Sequence, residues 1–327
     1  MEKALRAQLA EKRIRSILAR QGIATARTLE QKISDAGPNN QRIDPHVLTG
    51  VRNSMVTSGE LVRENHYNAP WFRLGNADPA LIEKRLNEIG PVYKAYIDGS
   101  LAQRIGQSLE IAAYRALIET EFNFFGRFKN FDAHDDSTLY QKEEPPQHIG
   151  RRSLSGNQRL DFLIAHADAT VGMLGIECKN VREWLYPDRE EVKETLDKCL
   201  RLDCVPVLIA RRIPFVTFKL LSACGVICHQ TYGQFVPTAD GELVSMARHK
   251  DFLGYHDIKL GNAPDARLQK FIAVNLPLVA SNARIRFDQN RDLLEGFVSE
   301  YSYAEFSGRL RRRLAGQVED HDWEIDI

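Results

Sequence analysis

At 327 residues, with 43% hydrophobic and 27% charged side chains, the chain is long enough for two or three domains and too apolar for a disordered protein. Its 44 basic and 44 acidic side chains cancel, which excludes an overall positive field as the means of attracting nucleic acid and leaves that task to local patches. No apolar run approaches the roughly 18 residues of a membrane span, and Met1-Glu2-Lys3-Ala4-Leu5-Arg6 lacks the apolar centre of a signal peptide, so the expected compartment is the cytoplasm and no membrane partner is expected.

Apolar residues Leu5, Leu9, Ile14, Ile17 and Leu18 recur at helical spacing and predict a helix over 3–21, closed by Gly22. A second helix is expected from Thr25 to Ala36, stopped by Gly37-Pro38, and a third over 44–58 with Val47, Leu48, Val51, Met55 and Val56 inward. Residues 60–64 and 71–74 then read as two extended runs around a turn-rich tip, His66-Tyr67-Asn68-Ala69-Pro70. That order is the order of a winged helix-turn-helix domain, here over 1–76. In such a domain the third helix enters the major groove and the hairpin touches backbone or minor groove. Arg42, His46, Arg52 and Asn53, with Arg63 and His66 in the wing, are therefore candidate DNA contacts; a protein-docking module is the alternative.

Asp78-Pro79 opens a bridging helix over 80–88, with Gly90-Pro91 as its stop, and 77–97 reads as a linker. A core follows over 98–238. Its first helix, 98–121, carries the stripe Leu101, Ile105, Leu109, Ala112, Ala113, Ala116 and Leu117. After it come an aromatic strand at 122–128, strands at 160–167 and 171–179 around Asp168-Ala169, a helix at 188–201, an apolar strand at 204–210, a helix at 215–223 and a strand at 226–229. The fold class is α/β, a mixed sheet flanked by helices. The polar stretch 129–158 is long for a loop, hence functional or disordered. Residues 239–327 read as a mainly helical extension, with the basic run Arg309-Leu310-Arg311-Arg312-Arg313 and the acidic tail 319–326 as solvated surface. The five cysteines, Cys178, Cys199, Cys204, Cys224 and Cys228, are odd in number; Cys224 and Cys228 with His229 are spaced irregularly for a metal site, and all five read as packed core.

The chemistry concentrates in Arg159-Leu160-Asp161 and Glu177-Cys178-Lys179. Along a strand, Glu177 and Lys179 share one face, and a hairpin between the two strands would bring Asp161 near Glu177. Two adjacent carboxylates form a hard-oxygen site suited to Mg²⁺. Phosphodiester hydrolysis needs such a cation to polarise a phosphate oxygen and acidify water, and an ammonium such as Lys179 to orient that water or stabilise developing charge. The flanking residues Gly172–Ile176 and Val181 mark a mostly buried strand, where a charged pair without a task is costly. Lys193 and Lys198, on the following helix, read as solvent-facing, and His134, His148 and His166 as isolated.

Asp161 followed by Glu177-x-Lys179, with Gly106-Gln107-Ser108-Leu109-Glu110 on the preceding helix, resembles the PD-(D/E)xK superfamily of restriction-endonuclease-like nucleases. The resemblance covers about residues 98 to 230 and fits that family's αβββαβ core; Leu160 stands where the family has proline. It implies Asp161, Glu177 and Lys179 as catalytic residues, and Glu110 as a third ligand beside Asp161 and Glu177 of Mg²⁺, for which Mn²⁺ substitutes. The implied activity is an endonuclease on double-stranded DNA in restriction, defence or repair, expected as a homodimer. Two rivals stand beside it, a DNA-binding regulator with an inactive core and an RNA-processing nuclease.

Overall fold

In the computed structural model, which describes residues 3–35 and 42–317, the chain forms two compact units. One comprises the residues up to Arg104 together with Val236–Leu260, the other Ile105–Phe235 and the residues from Gly261 on. The expected C-terminal extension is thus divided between the two. Gly37-Pro38 and the acidic tail 319–326 lie outside the described residues.

The first unit contains helix α1 (Lys3–Gln21), strand β1 (Ile23–Thr25), helices α2 (Ala26–Ile33) and α3 (Pro45–Thr57), and strands β2 (Leu61–His66) and β3 (Ala69–Leu74). Ile14, Leu18, Leu29, Ile33, Leu48, Met55 and Phe72 close into one core, so the inward faces follow the apolar periodicity. Thr25 caps α2, its hydroxyl accepting from the Thr28 N–H at 3.1 Å. The hairpin tip is tighter than its turn-rich sequence implies. Tyr67 and Asn68 both adopt left-handed φ (51° and 58°), giving a two-residue turn in which His66 pairs with Ala69. β1, too short to show a period, adds a third strand beside β3, in the order β1-β3-β2.

The bridging helix α4 (Pro79–Tyr96) runs through Gly90-Pro91 instead of stopping there. A proline inside a helix costs about 3 kcal/mol. The turns around it bury Ile89, Val92, Tyr93 and Tyr96, each worth roughly 1.5–3 kcal/mol, and the Tyr93 ring meets Trp71 edge-on at 5.3 Å. Burial wins. Helix Gly241–Arg248 and the segment after it return to this unit, where the Gln21 side-chain amide donates to the carbonyls of Lys250 (3.0 Å) and Phe252 (3.2 Å).

The second unit is a mixed α/β layer. Helix α5 (Gly99–Ile118) leads into β4 (Asn123–Phe125) and β5 (Arg127–Phe128), and the stretch 129–158 contributes three two-residue strands, β6 (Lys142–Glu143), β7 (His148–Ile149) and β8 (Arg152–Ser153). Then come β9 (Phe162–Ala165), β10 (Met173–Lys179), α6 (Glu190–Leu202), β11 (Cys204–Ala210), α7 (Phe215–Ala223) and β12 (Ile227–Gln230). The five-stranded sheet runs β12-β11-β10-β9-β4. Its β4, β9 and β10 pair antiparallel, β9 and β10 through a short turn and β4 and β9 across the long stretch that holds β5 to β8, while β10, β11 and β12 pair parallel, as the two helical crossovers α6 and α7 require.

Both sheet faces are covered. Leu174, Ile176, Val207 and Ile209 pack with Leu109, Ala112, Ala113 and Ala116 of α5, while Leu208 and Ala210 face Val192 and Leu196 of α6. All five cysteines are free thiols, and burial pushes those of Cys224 and Cys228 up to about 12. No described helix is long and apolar enough to cross a membrane.

Gly126 breaks the expected strand at 122–128 into β4 and β5. Its φ is +104°, and a Cβ there would run into the carbonyl oxygen of Asp161 and the ring of Phe162. Gly126→Ala is therefore expected to cost about 1–3 kcal/mol by urea denaturation and, because Asp161 carries the clash, to displace that residue from its partners.

Candidate active site

β9 and β10 form an antiparallel hairpin whose ladder ends at Phe162 opposite Ile176. One step further, the Asp161 N–H donates to the Ile176 carbonyl at 3.0 Å, and the Cys178 N–H donates to Asp161 Oδ2 at 2.6 Å. Asp161 is thereby pinned by the backbone on both sides of Glu177. The strand alternation turns Glu177 and Lys179 to the same face, where Lys179 Nζ donates to Glu177 Oε1 at 2.7 Å. Asn180 then ties the end of β10 down, its amide donating to the Phe235 carbonyl (2.7 Å) and its carbonyl accepting from the Phe235 N–H (3.1 Å).

Two further lysines complete the cluster. Lys198 is 8% exposed, and its ammonium donates to Glu177 Oε1 at 2.8 Å, so it faces the site and not solvent as expected. The helical period explains this: Val192, Leu196, Cys199 and Leu202 bury one side of α6, and Lys198 lies at the edge of that stripe. Lys193 takes another direction, with its ammonium 4.9 Å from the centre of the Phe297 ring.

Lys142, on β6, had no sequence signal. Its side chain is 6% exposed and donates to Glu110 Oε2 at 2.7 Å, with Asp161 Oδ1 at 3.6 Å. It is held there by Gln107, whose side chain donates to the Tyr140 carbonyl (2.9 Å) and accepts from the Tyr140 N–H (2.7 Å), clamping the polar stretch to α5. Only the polarity and length of 129–158 hinted at a role.

Two adjoining, partly buried sets result: Lys142 with Glu110 and Asp161, and Glu177 with Lys179 and Lys198, three carboxylates and three ammonium groups in all. No family model, curated protein or solved structure matches this chain. The residues themselves carry the reading. Burial, and after it the charges of Glu110 and Glu177, hold the Asp161 carboxyl well above the usual carboxylate range, against the pull of Lys142 and the Cys178 N–H. Burial alone would lower the Lys142 ammonium, but Asp161 and Glu110 raise it above its ordinary value; for Lys179 the same contest is decided by Glu177.

Glu177 is 3% exposed, and its Oε2 has no hydrogen-bond partner. An unpaired oxygen on a buried carboxylate is expensive to retain, and it lies beside a second carboxylate whose proton is tightly held. Asp161, Glu177 and Glu110 offer oxygen donors alone, the set preferred by Mg²⁺. Among the described residues no three His, Cys, Asp or Glu side chains lie close enough to hold an ion as they stand; between Glu110 and Asp161 the neutralising charge is Lys142. A hollow of about 640 Å³ opens beside Lys198, lined by Glu144, Asn157, Gln158, Arg159 and Glu194. Lys198→Met would leave Glu177 with Lys179 as its one cation and is expected to cost about 3 kcal/mol in a urea titration. An unchanged midpoint would mean that Lys179 suffices.

Of the expected DNA contacts, His46, Asn53 and Arg63 are exposed and Arg42 is half-buried. His66 is occupied by Glu64 at 3.0 Å. Arg52 is 8% exposed and lies with its guanidinium 4.8 Å from the Phe72 ring centre, inside its unit's core, so it does not reach outward to a groove.

Proposed function

We propose that the chain is a Mg²⁺-dependent nuclease of the PD-(D/E)xK kind that hydrolyses phosphodiester bonds in double-stranded DNA. The observation that carries this reading is the buried, unpartnered Glu177 Oε2 beside Asp161, with Lys179 on the same strand face. Asp161 and Glu177, joined by Glu110 once Lys142 withdraws, would hold the cation. When bound, that ion polarises a phosphate oxygen and lowers the pKa of water. Lys179 neutralises Glu177 and presents an ammonium to the charge that builds on the phosphorane. Lys198 fixes Glu177 from the helix side, and Arg159 with Asn157 and Gln158 lines the hollow where the strand's phosphates would lie.

The helix-and-hairpin arrangement of the first unit supports a winged-helix reading, in which α3 offers His46 and Asn53, and β2 offers Arg63, to the duplex. We propose a homodimer, because two strands are commonly cut by two related sites; sedimentation reads this directly. One observation favours a second reading, a DNA-binding regulator that does not cut: Lys142 neutralises the carboxylates that would otherwise need a cation.

The test is incubation of the full chain with supercoiled plasmid, single-stranded DNA and structured RNA, in Mg²⁺ or EDTA, beside Asp161→Ala and Lys179→Ala. Nicking or linearisation that requires Mg²⁺ and both side chains is expected. Binding without cleavage under Mg²⁺ or Mn²⁺ favours the regulator, and cleavage of RNA alone moves the activity to that substrate.

A further inference from the structure

The five-stranded sheet ends on β12, and among the described residues no strand pairs with its outer edge. The Thr231 N–H donates to the Ala210 carbonyl at 3.0 Å. In a parallel ladder successive residues turn their backbone groups to opposite sides, so Ile227 and His229 bond β11 while Cys228 and Gln230 aim N–H and C=O at the open edge. Such an edge is a template for another strand.

That edge is the floor of a cleft of about 480 Å³ that lies wholly within the second unit. α7 forms one wall with Phe218 and Ser222, and helix Leu276–Gln289 forms the other with Leu278, Val279 and Arg286. The walls stay apolar out into solvent: Leu278 is 77% exposed and Phe215, at the start of α7, is 78% exposed. The two ends of the cleft differ. Beside the start of β12, the backbone of Ala283 and Phe287 closes against Gly225, so Arg286 stands at that end and donates to the Ser222 carbonyl at 3.4 Å. Toward the end of β12, His229 stacks on the Phe271 ring with 4.3 Å between centres. Because α7 runs back from β11 to the start of β12, Phe215 and Phe218 lie toward this second, apolar end.

The C-terminal helix Tyr303–Leu314 finishes near the charged end. Arg313 donates to the Gln289 carbonyl (2.9 Å), one turn beyond Arg286, and to Asp292 Oδ1 (2.8 Å), and the Gln317 N–H turns back to the Arg312 carbonyl at 3.0 Å. Residues 318–327 lie outside the described residues. Ten residues extend over roughly 33 Å at most, while the four residues of β12 occupy roughly 13 Å, so the segment is long enough. Its chemistry follows the order of the cleft. Glu319, Asp320 and Asp322 come first, and Trp323, Ile325 and Ile327 then place an apolar side chain at every second position, the period of a strand.

We propose that residues 322–327 dock in this cleft of their own molecule as a sixth strand parallel to β12. The carboxylates before Trp323 pass Arg286, and Trp323, Ile325 and Ile327 cover the apolar walls. Main-chain bonds to Cys228 and Gln230 supply affinity, and the alternating side chains set register. A second copy is the poorer occupant, because a twofold pairing of two β12 edges runs antiparallel and sets the Arg286 end of each cleft on the apolar end of the other. The proposal is independent of the nuclease reading.

Hydrogen exchange in the full chain, read at the Cys228 and Gln230 amides, tests it. Both are expected to exchange roughly tenfold or more faster in Trp323→Asp/Ile325→Asp than in the parent, with the amides of β11 unchanged as the check on folding. Leu278→Asp, at an exposed position of the wall, should release the same two amides, and adding it to the double variant should change nothing further. Equal exchange in the parent and the double variant would overturn the proposal, as would further acceleration when the changes are combined. Protection that survives in the double variant but is lost in Leu278→Asp, or that falls as the parent is diluted, would also overturn it and assign the edge to a second copy.

Discussion

Asp161→Asn is expected to abolish Mg²⁺-dependent cleavage, by about 10³-fold or more, and at the same time to leave the metal-free protein more stable than the parent by about 1 kcal/mol. The loss follows from removing one of two adjacent anionic ligands while keeping shape and an acceptor for the Cys178 N–H. The gain follows from the raised affinity of Asp161 for its proton. Burial, then Glu110 and Glu177, hold its carboxyl well above the ordinary 3.8, so the folded chain binds that proton more tightly than the unfolded chain does. This group's contribution to stability is therefore present in full below 3.8 and is lost as pH rises through the raised folded value, so above that value the ionised carboxylate is a liability. Asparagine removes the liability and flattens that part of the pH–stability curve. Plasmid cleavage and urea midpoints across pH 4 to 8 read the two effects separately. Cleavage that survives in the asparagine variant would remove Asp161 from the site, and a fall in stability would make the side chain structural.

How much of this was legible in the sequence depended on whether the information was local. The run Cys204–Ala210 is apolar throughout and emerges as β11 over those residues, because a strand covered on both faces needs no alternation. The alternation that turns Glu177 and Lys179 to one face is equally local, whereas the hairpin that brings Asp161 beside them is only a condition in the sequence and comes from the β9–β10 ladder. The stop expected at Gly90-Pro91 failed because backbone preference was outweighed by the burial of Tyr93 against Trp71, a contact between residues far apart in the chain. Strands of two residues, such as β6, have no period to detect. Lys142 reaches the site through a clamp between Gln107 and Tyr140, and neither residue type announces it. The return of residues 236–260 to the first unit likewise leaves no mark in composition, since it rests on side-chain amides such as Gln21 finding backbone carbonyls 229 and 231 positions away. Arg52 shows the converse: a long cationic side chain on a helix suggests a reach outward, while its guanidinium packs over the Phe72 ring.

Lys142→Met should convert a protein whose carboxylates carry their own counter-ion into one that depends on a divalent cation. In the parent, the ammonium bridges Glu110 at 2.7 Å and approaches Asp161 at 3.6 Å, occupying the charge balance that a metal would supply. Methionine keeps the length and the packing against Phe128 and Phe162, whose ring centres lie 5.6 and 4.9 Å from the ammonium, but removes the charge. Without metal, the Glu110 and Asp161 carboxylates then lose the ammonium between them, and the unfolding midpoint in EDTA should fall. With Mg²⁺ the ion no longer competes with an ammonium, so its dissociation constant should drop about tenfold. At a hundred times that constant the bound ion returns about 2.7 kcal/mol, enough to close the gap in stability. If the regulator reading is right, the variant is destabilised in EDTA, no divalent ion restores it, and cleavage does not appear. Because a nuclease must let Lys142 withdraw while a regulator must keep it in place, this one substitution separates the two readings without relying on loss of activity.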